Sequence, residues 1–170
     1  MSVHLRREID KLKQSLLLLC RMVEEQVKMA VQALLDRDQS LAERVTERDD
    51  EIDQREVEVE EDCLRVLALY QPVAIDLRLI VSVLKINNDL ERVGDLAVNI
   101  AHKALAVVNE QVAVPEVLPE MAARTQSMLH DSIDALVALD SKVAADVCTR
   151  DDEVDELKRI IRLEVEDRIE

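Results

Sequence analysis

Residues 33–53 read ALLDRDQSLAERVTERDDEID, and residues 135–155 read ALVALDSKVAADVCTRDDEVD. The two stretches are identical at ten of 21 positions without a gap, at a spacing of 102 residues. The apolar register continues beyond the match, since Val59 corresponds to Ile161. Self-similarity at a fixed spacing indicates one supersecondary unit that occurs twice. We therefore predict a tandem repeat.

Apolar residues recur at helical spacing through almost the whole chain. The pattern predicts five helices, which cover about 5–34, 41–70 and 77–106, then one that opens at Pro119 and one that is capped by Asp140 and runs to the end. The sequence therefore predicts an all-α fold of tandem three-helix bundles, in which the second bundle lacks its third helix.

Cap and turn residues mark the boundaries of these helices. Asp38 suits the N-cap of the second helix, and Pro72 suits the first turn of the third. The clearest linker is Val112–Pro115. We therefore assign residues 1–111 to the first repeat and residues 115–170 to the first two helices of the second.

The composition is that of long helices around an aliphatic core. The chain of 170 residues contains one Gly, three Pro, no Trp and no Phe, with 48% hydrophobic and 35% charged residues. Its net charge of -15 argues against binding to nucleic acid or to an anionic membrane. Cations and basic protein surfaces are the partners that this charge favours.

The sequence also indicates the cellular compartment of the protein. The apolar run Leu16–Leu19 is too short to span a bilayer, and the N-terminus lacks the apolar stretch of a signal peptide. Cys20, Cys63 and Cys148 are too far apart for a Cys-x-x-Cys site, and reduced, buried thiols are expected. We expect a cytoplasmic protein without direct membrane insertion.

The second repeat stops before its third helix. The counterparts of Glu91 and Asp95 would fall near positions 193 and 197, beyond the last residue. Two interpretations remain open. Either the sequence is a piece of a longer protein, or another subunit supplies the missing helix.

Two acidic pairs lie at equal distances from Pro72. Asp49 and Asp53 precede it by 23 and 19 residues, and Asp95 and Glu91 follow it by 23 and 19. In an antiparallel helical hairpin centred on Pro72, the four carboxylates lie at one level. Clustered carboxylates repel each other unless a cation lies among them. The spacing therefore predicts a metal site.

The third predicted helix has an apolar stripe that becomes polar. Leu77, Val81 and Leu84 are expected to face the core, and the same stripe continues through Asn88, Glu91, Asp95, Asn99 and His102. A second apolar face, which includes Leu90 and Ala97, lies on nearly the opposite side. The acidic groups are therefore expected at the edge of the core rather than in bulk solvent.

The second predicted helix carries a matching acidic row. Asp49, Asp53, Glu56 and Glu60 flank its apolar stripe. Hard oxygen donors at this spacing suit Fe, Mn, Mg or Ca better than a metal that prefers thiolates. Gly94, the only glycine, lies beside Asp95, where either close helix approach or access of an ion to the backbone would explain it.

Any one of these carboxylates, taken alone, is more often a solvated surface group than a metal ligand. The matched spacing about Pro72 and the recurrence of the first pair as Asp151 and Asp155 favour a metal site for the group. A structural helical adaptor without metal remains an alternative. A carboxylate di-metal oxidase would need Glu-x-x-His pairs, which the sequence does not contain.

Three motifs carry a family resemblance. They are Gln-Pro at 71–72, Asp-Leu-Arg at 76–78 and Asn-Asp-Leu-Glu-Arg-Val-Gly-Asp at 88–95. With the tandem repeat, they resemble the PhoU family of accessory regulators of bacterial phosphate uptake. The resemblance covers essentially the whole chain and implies two three-helix bundles side by side.

The resemblance also implies a metal cofactor. Members of this family bind multinuclear iron or other metal clusters through paired acidic motifs, so iron, or another oxygen-preferring or divalent metal such as Mn, Zn or Mg, is expected. The implied ligands in this chain are Asp49, Asp53, Glu91 and Asp95 for the first cluster, and Asp151 and Asp155 for half of the second.

The implied function is regulatory rather than enzymatic. A protein of this family damps a phosphate ABC transporter and its sensor kinase through protein contacts. The expected partners are therefore the transporter ATPase, the sensor histidine kinase and a second copy of the chain in a homodimer, with no nucleic acid.

Overall fold

The computed structural model of the chain describes residues 3–110 and 113–167, and these ranges contain α-helices and no β-strand. Within these ranges six helices follow in chain order: α1 Val3–Asp36, α2 Gln39–Glu47, α3 Asp49–Tyr70, α4 Ala74–Glu110, α5 Leu118–Ala138 and α6 Ser141–Asp167. The predicted all-α class is confirmed. Within the described ranges, no helix has the length and apolar character needed to cross a membrane.

α1 is the central helix of the structure. It packs against α2, α3 and α4 of the first repeat and against α5 of the second. Its apolar stripe is buried along most of its length, through Leu5, Ile9, Leu12, Leu16, Leu19 and Val23. Burying a side chain of this size contributes about 1.5–3 kcal/mol, so the stripe is a main source of stability.

The predicted second helix is in fact two helices. α2 ends at Glu47 and α3 begins at Asp49, because Arg48 has a ψ of −8°, too shallow for a regular α-helix. The Arg48 guanidinium donates to Glu25 Oε2 at 3.0 Å and to Met29 Sδ at 3.1 Å, which ties the junction to α1. The equivalent Arg150 lies inside the unbroken α6. Sequence periodicity missed this break.

Two aspartates cap helices as predicted. Asp38 Oδ1 accepts a hydrogen bond from Leu41 N at 3.0 Å, at the start of α2. Asp140 Oδ1 accepts from Lys142 N at 2.8 Å and from Val143 N at 3.2 Å, at the start of α6. Each cap satisfies backbone donors that the first helical turn leaves without partners.

The turns before these caps have the same conformation in both repeats. Arg37 and Leu139 adopt left-handed φ angles of 56° and 53°. The following residue then donates back into the preceding helix, from Asp38 N to Ala33 O at 3.0 Å and from Asp140 N to its counterpart on α5 at 2.9 Å. This is a Schellman-type helix end. The repeat seen in the sequence is therefore a repeat of backbone geometry.

The structure confirms the predicted position of Pro119 but not that of Pro72. Pro119 lies in the first turn of α5, as predicted. Pro72 does not lie in the first turn of α4, because that helix begins at Ala74 and Pro72 is a buried residue of the preceding loop. Residues 113–115 of the predicted linker are not helical, and Val112 lies outside the described residues.

The buried face of α4 is not the stripe that the sequence indicated. Leu77 and Val81 are each 40% exposed, while the buried residues are Ile80, Val83, Asn87, Leu90, Gly94, Ala97, Ala101 and Ala104. This buried face is small or apolar over most of its length, so it packs on α1 without removing carboxylates from water. Glu91 is consequently partly buried and Asp95 is exposed.

The second repeat contributes two helices within the described residues. α5 packs on α1 and on α6, whereas α6 packs in this part of the chain only on α5. His130 of α5 lies against α1, with Nδ1 2.6 Å from Glu24 Oε1. Ala135 is the one buried residue of α5, and no described residue of α6 is buried. Most of the core therefore belongs to the first repeat. The expected burial of the thiols is confirmed for Cys20 and Cys63 and is wrong for Cys148, because α6 buries none of its described residues.

We expect Gly94→Ala to raise the free energy of unfolding by about 0.5–1 kcal/mol, the helix preference of Ala over Gly. A Cβ at this position would lie 3.5 Å from Ile52 Cγ2, an ordinary contact, so close helix approach does not exclude Ala. Urea denaturation of metal-free protein measures the change. Gly94→Leu is the contrasting variant, because its longer side chain would press into α3, and a stabilising Leu would contradict this packing.

Candidate metal site

Carboxylates of α3 and α4 converge beside the core of the first repeat. Asp49, Asp53, Glu56 and Glu60 follow one face of α3 at successive turns, and we call these four residues the acidic row. Glu91 and Asp95 lie on α4, which packs against α3 after a three-residue loop. Asp49, Glu56 and Glu91 are partly buried, and the others are exposed.

Asp49 lies at the N-terminal end of the acidic row. Partial burial raises the pKa of its carboxyl, although a hydrogen bond from Gln26 acts to lower it. The negative charges of Asp53 and Asp95 raise the pKa of Asp49 further. The structure therefore brings the charges of Asp53, on the same helix, and Asp95, on α4, close enough to Asp49 to affect its pKa.

Glu56 occupies the middle of the row, two turns after Asp49. Burial raises its pKa, and the charges of Glu60, Glu91 and Asp53 raise it further. Asp53 therefore repels both Asp49 and Glu56. The six carboxylates therefore form one negatively charged patch.

The direction of these two shifts fixes their effect on stability. A carboxyl whose pKa is higher in the folded state stabilises the fold below its unfolded pKa. That contribution is lost as the pH rises through the folded pKa of Asp49 and Glu56. At neutral pH the ionised patch therefore works against folding unless a positive charge compensates it.

Gln26 connects α1 to this patch. Its side chain is 1% exposed, and Nε2 donates to Asp49 Oδ1 at 3.0 Å. Its Oε1 is buried and has no hydrogen-bond partner among the described residues. The Gln26 amide thus donates a hydrogen bond to one carboxylate, while its own carbonyl oxygen accepts none from the described residues.

Asn87 occupies a comparable position on α4. It is 1% exposed, and Nδ2 donates to Glu56 Oε1 at 2.7 Å and to the Glu56 carbonyl at 3.1 Å. Its Oδ1 is buried and, within the part of the chain that the structure describes, accepts no hydrogen bond. Gln26 and Asn87 therefore place two unpaired amide oxygens next to the carboxylate patch.

The carboxylates lie near each other, but they do not surround a common position at which one ion could bind. Across residues 3–110 and 113–167, no three His, Cys, Asp or Glu side chains are arranged to hold one metal ion. Mutual repulsion separates ionised carboxylates in the absence of a cation, and Asp49 and Glu56 are turned to their amide partners. Ligation of one ion by several of these groups requires side-chain rotation.

The second repeat carries a different row. Asp151 and Asp155 are exposed on α6, and Asp155 Oδ1 is 3.6 Å from Lys158 Nζ. At the spacing of 102 residues, Lys158 corresponds to Glu56 and Arg162 to Glu60. Two of the four acidic positions are therefore basic, and the structure does not bring Asp151 and Asp155 to the patch on α3 and α4.

The donor set of the first patch fits a hard cation. All of its side-chain donors are carboxylate or amide oxygens, the ligands that Mg²⁺, Ca²⁺ and Mn²⁺ prefer. The two unpaired amide oxygens are a further sign, because each such buried group costs about 1–3 kcal/mol if nothing satisfies it.

Sequence reasoning did not find Gln26 and Asn87. Gln26 interrupts the apolar stripe of α1 between Val23 and Ala30, which is the signal that could have identified it. Asn87 was overlooked in favour of its neighbour Asn88, which is exposed. The choice between two adjacent asparagines depends on the phase of α4, and helical periodicity alone did not determine that phase.

Comparison with known proteins adds an independent line of observation. The PhoU domain model matches residues 16–104 and again residues 118–169. The PhoU homolog of Aquifex aeolicus, a phosphate-specific transport system accessory protein, is 39% identical over 152 residues, 89% of this chain and 69% of the relative. The accessory protein PhoU of Escherichia coli K12 is 35% identical over 157 residues, 91% of this chain and 65% of the relative.

Solved structures give the same result for the fold. The crystal structure of PhoU from Pseudomonas aeruginosa superposes with a TM-score of 0.93 at 35% identity, covering 96% of this chain and 79% of that one. PhoU from Streptococcus pneumoniae, described as a phosphate transport system regulatory protein, gives 0.88 at 31% identity, covering 95% and 76%. The chain thus spans about two thirds to four fifths of the proteins that it matches.

Proposed function

The chain belongs to the PhoU family, and on this premise we propose that it is a metal-binding regulator of phosphate uptake. The names of its relatives describe accessory proteins of phosphate-specific transport systems. The observation that carries the metal part of the proposal is the carboxylate patch with two unpaired, buried amide oxygens beside it.

The proposed cation is held by the first patch. Asp49, Asp53, Glu91 and Asp95 are the proposed ligands, and iron in a multinuclear cluster, or Mn, Zn or Mg, is the proposed metal. Bound there, it supplies positive charge that offsets the repulsion among the carboxylates. Asp151 and Asp155 stay predicted ligands of a second site, which needs further donors from outside α6.

The proposed action is negative modulation through protein contacts. The partners that we propose are the ATPase of a phosphate ABC transporter and the sensor histidine kinase of the phosphate response, with a homodimer as the acting form in the cytoplasm. A net charge of -15 supports basic protein surfaces as partners and argues against nucleic acid. Pull-down of the purified ATPase and kinase, with and without Mn²⁺, tests these contacts, and failure to retain either partner would contradict them.

The metal part is tested with Asp95→Asn, which removes one negative charge without changing the side-chain size. We expect metal-free Asp95→Asn to be more stable than the wild type by about 0.2–0.5 kcal/mol, because a like charge near Asp49 is gone. We also expect its stabilisation by Mn²⁺ to shrink. Chemical denaturation with and without Mn²⁺ measures both changes.

The substitution is thus expected to raise the stability of the metal-free protein and to reduce the stabilisation by Mn²⁺. These two changes have opposite signs, so the experiment distinguishes a metal ligand from a surface carboxylate. A surface carboxylate with no role in metal binding would leave the response to Mn²⁺ unchanged. Asp89→Asn is the matched control, because Asp89 lies on the same helix and is 71% exposed. Elemental analysis that finds no metal, with no Mn²⁺ binding by the wild type, would refute the metal site and favour an adaptor without metal.

A further inference from the structure

Gln26 and Asn87 are the two buried polar side chains in the described ranges, and both lie against the acidic row. They come from different helices, α1 and α4, which pack against each other and both contact α3. Gln26 contacts Asp49, and Asn87 contacts Glu56 two turns further along, about 10 Å along the helix axis. The patch therefore has a buried amide at each of two levels.

Packing alone does not account for these two amides. Each satisfies its donor side on a carboxylate and leaves its carbonyl oxygen buried without a partner in the described structure. An apolar side chain of similar size would avoid that cost. The second repeat has such a residue, because Met128 corresponds to Gln26 at the spacing of 102 residues.

We propose that Gln26 and Asn87 form the buried floor of the metal site, each presenting its carbonyl oxygen to a cation at its own level of the acidic row. This inference rests on the proposed metal site and adds two neutral ligands from the interior. It also separates the two repeats, since the row on α6 has Met128 in place of the glutamine and Lys158 in place of Glu56. Cation affinity then belongs mainly to the first repeat.

The test uses Mn²⁺ as the probe on metal-stripped full chain, with affinity measured by titration calorimetry and by the loss of the free Mn²⁺ signal in electron paramagnetic resonance. Gln26→Met copies the second repeat and removes the amide while filling its volume. We expect its Mn²⁺ affinity to fall about 10–100-fold, the range found for altered residues that support a metal site. Asn87→Leu is expected to act in the same direction.

Two further variants separate a ligand role from a packing role. Gln26→Glu keeps an oxygen at the site, and we expect it to retain Mn²⁺ affinity or raise it. Gln14→Met is the matched control, because Gln14 is exposed on the same helix, and it should bind Mn²⁺ as the wild type does. Thermal unfolding without Mn²⁺ reports the packing cost of each change separately.

The outcomes are distinguishable from those of the proposed function. Wild-type protein that binds no Mn²⁺ overturns both the metal site and this inference. Wild-type binding with unchanged affinity in Gln26→Met and Asn87→Leu overturns the inference alone, as does an equal loss in Gln26→Met and Gln26→Glu. If Gln26→Met does not fold, Gln26→Glu and Asn87→Asp decide, because a tenfold loss of affinity in these oxygen-retaining variants contradicts a ligand role.

Discussion

Leu19→Ala is expected to lower the free energy of unfolding by about 3–5 kcal/mol, the largest effect of any single truncation that we predict. Leu19 is 0% exposed near the middle of α1, the helix that packs on α2, α3, α4 and α5. Removal of the side chain leaves a cavity beside α1. The helices that pack on several sides of α1 can fill this cavity only in part. Urea unfolding followed by far-ultraviolet circular dichroism measures the loss.

The adjacent residue provides the control. Leu18 is 44% exposed on the same helix turn, so Leu18→Ala removes the same atoms with far less lost burial. We expect a cost for Leu18→Ala of about 1 kcal/mol or less. Similar losses in the two variants would mean that α1 does not pack through the Leu19 face, and the central place of α1 in the fold would be wrong.

Glu56→Lys is expected to reduce the affinity of the first patch for Mn²⁺ on the order of 100-fold, at or beyond the upper range for altered metal-site residues. The change introduces the residue that the second repeat has at the same place, Lys158. It replaces a carboxylate that lies beside Asp53, Glu60 and Glu91 with an ammonium group.

The readout is stability as a function of Mn²⁺. At a Mn²⁺ concentration 100 times the wild-type Kd, binding adds about 2.7 kcal/mol to the wild type, and a 100-fold weaker variant gains about 0.4 kcal/mol. Glu61→Lys is the control, since it makes the same charge change at an exposed position of α3 outside the acidic row. An equal loss in both variants would show that only net charge matters and that the row is not a site.

Much of the fold could be predicted from local sequence. The repeat of residues 33–53 at 135–155, the aspartate caps and the apolar stripe of α1 depend on nearby residues and on helical periodicity. The break at Arg48 was not readable, because it coincides with contacts from its guanidinium to Glu25 and Met29 on another helix. Such contacts join residues about 20 positions apart, and local pattern carries no signal for them.

The candidate site shows the same division. Spacing about Pro72 selected Asp49, Asp53, Glu91 and Asp95, and the structure places charges from both pairs within mutual influence. Spacing could not indicate Gln26, because the register of α1 against α3 is set by packing. The sequence analysis also assigned the wrong buried face to α4. This helix has two apolar stripes, and only packing against α1 determines which of them is buried.

By itself, the sequence determined that this protein is a helical tandem repeat in which the first half of the acidic row, Asp49 and Asp53, recurs on the second unit as Asp151 and Asp155, because helix formation, capping and charge spacing are local properties. Only the tertiary structure decided that the two rows differ in their surroundings. The first lies against buried amides from α1 and α4, while the second is exposed on α6 beside Lys158. The reason is physical, since burial and unpaired hydrogen-bonding groups arise only where separate helices meet.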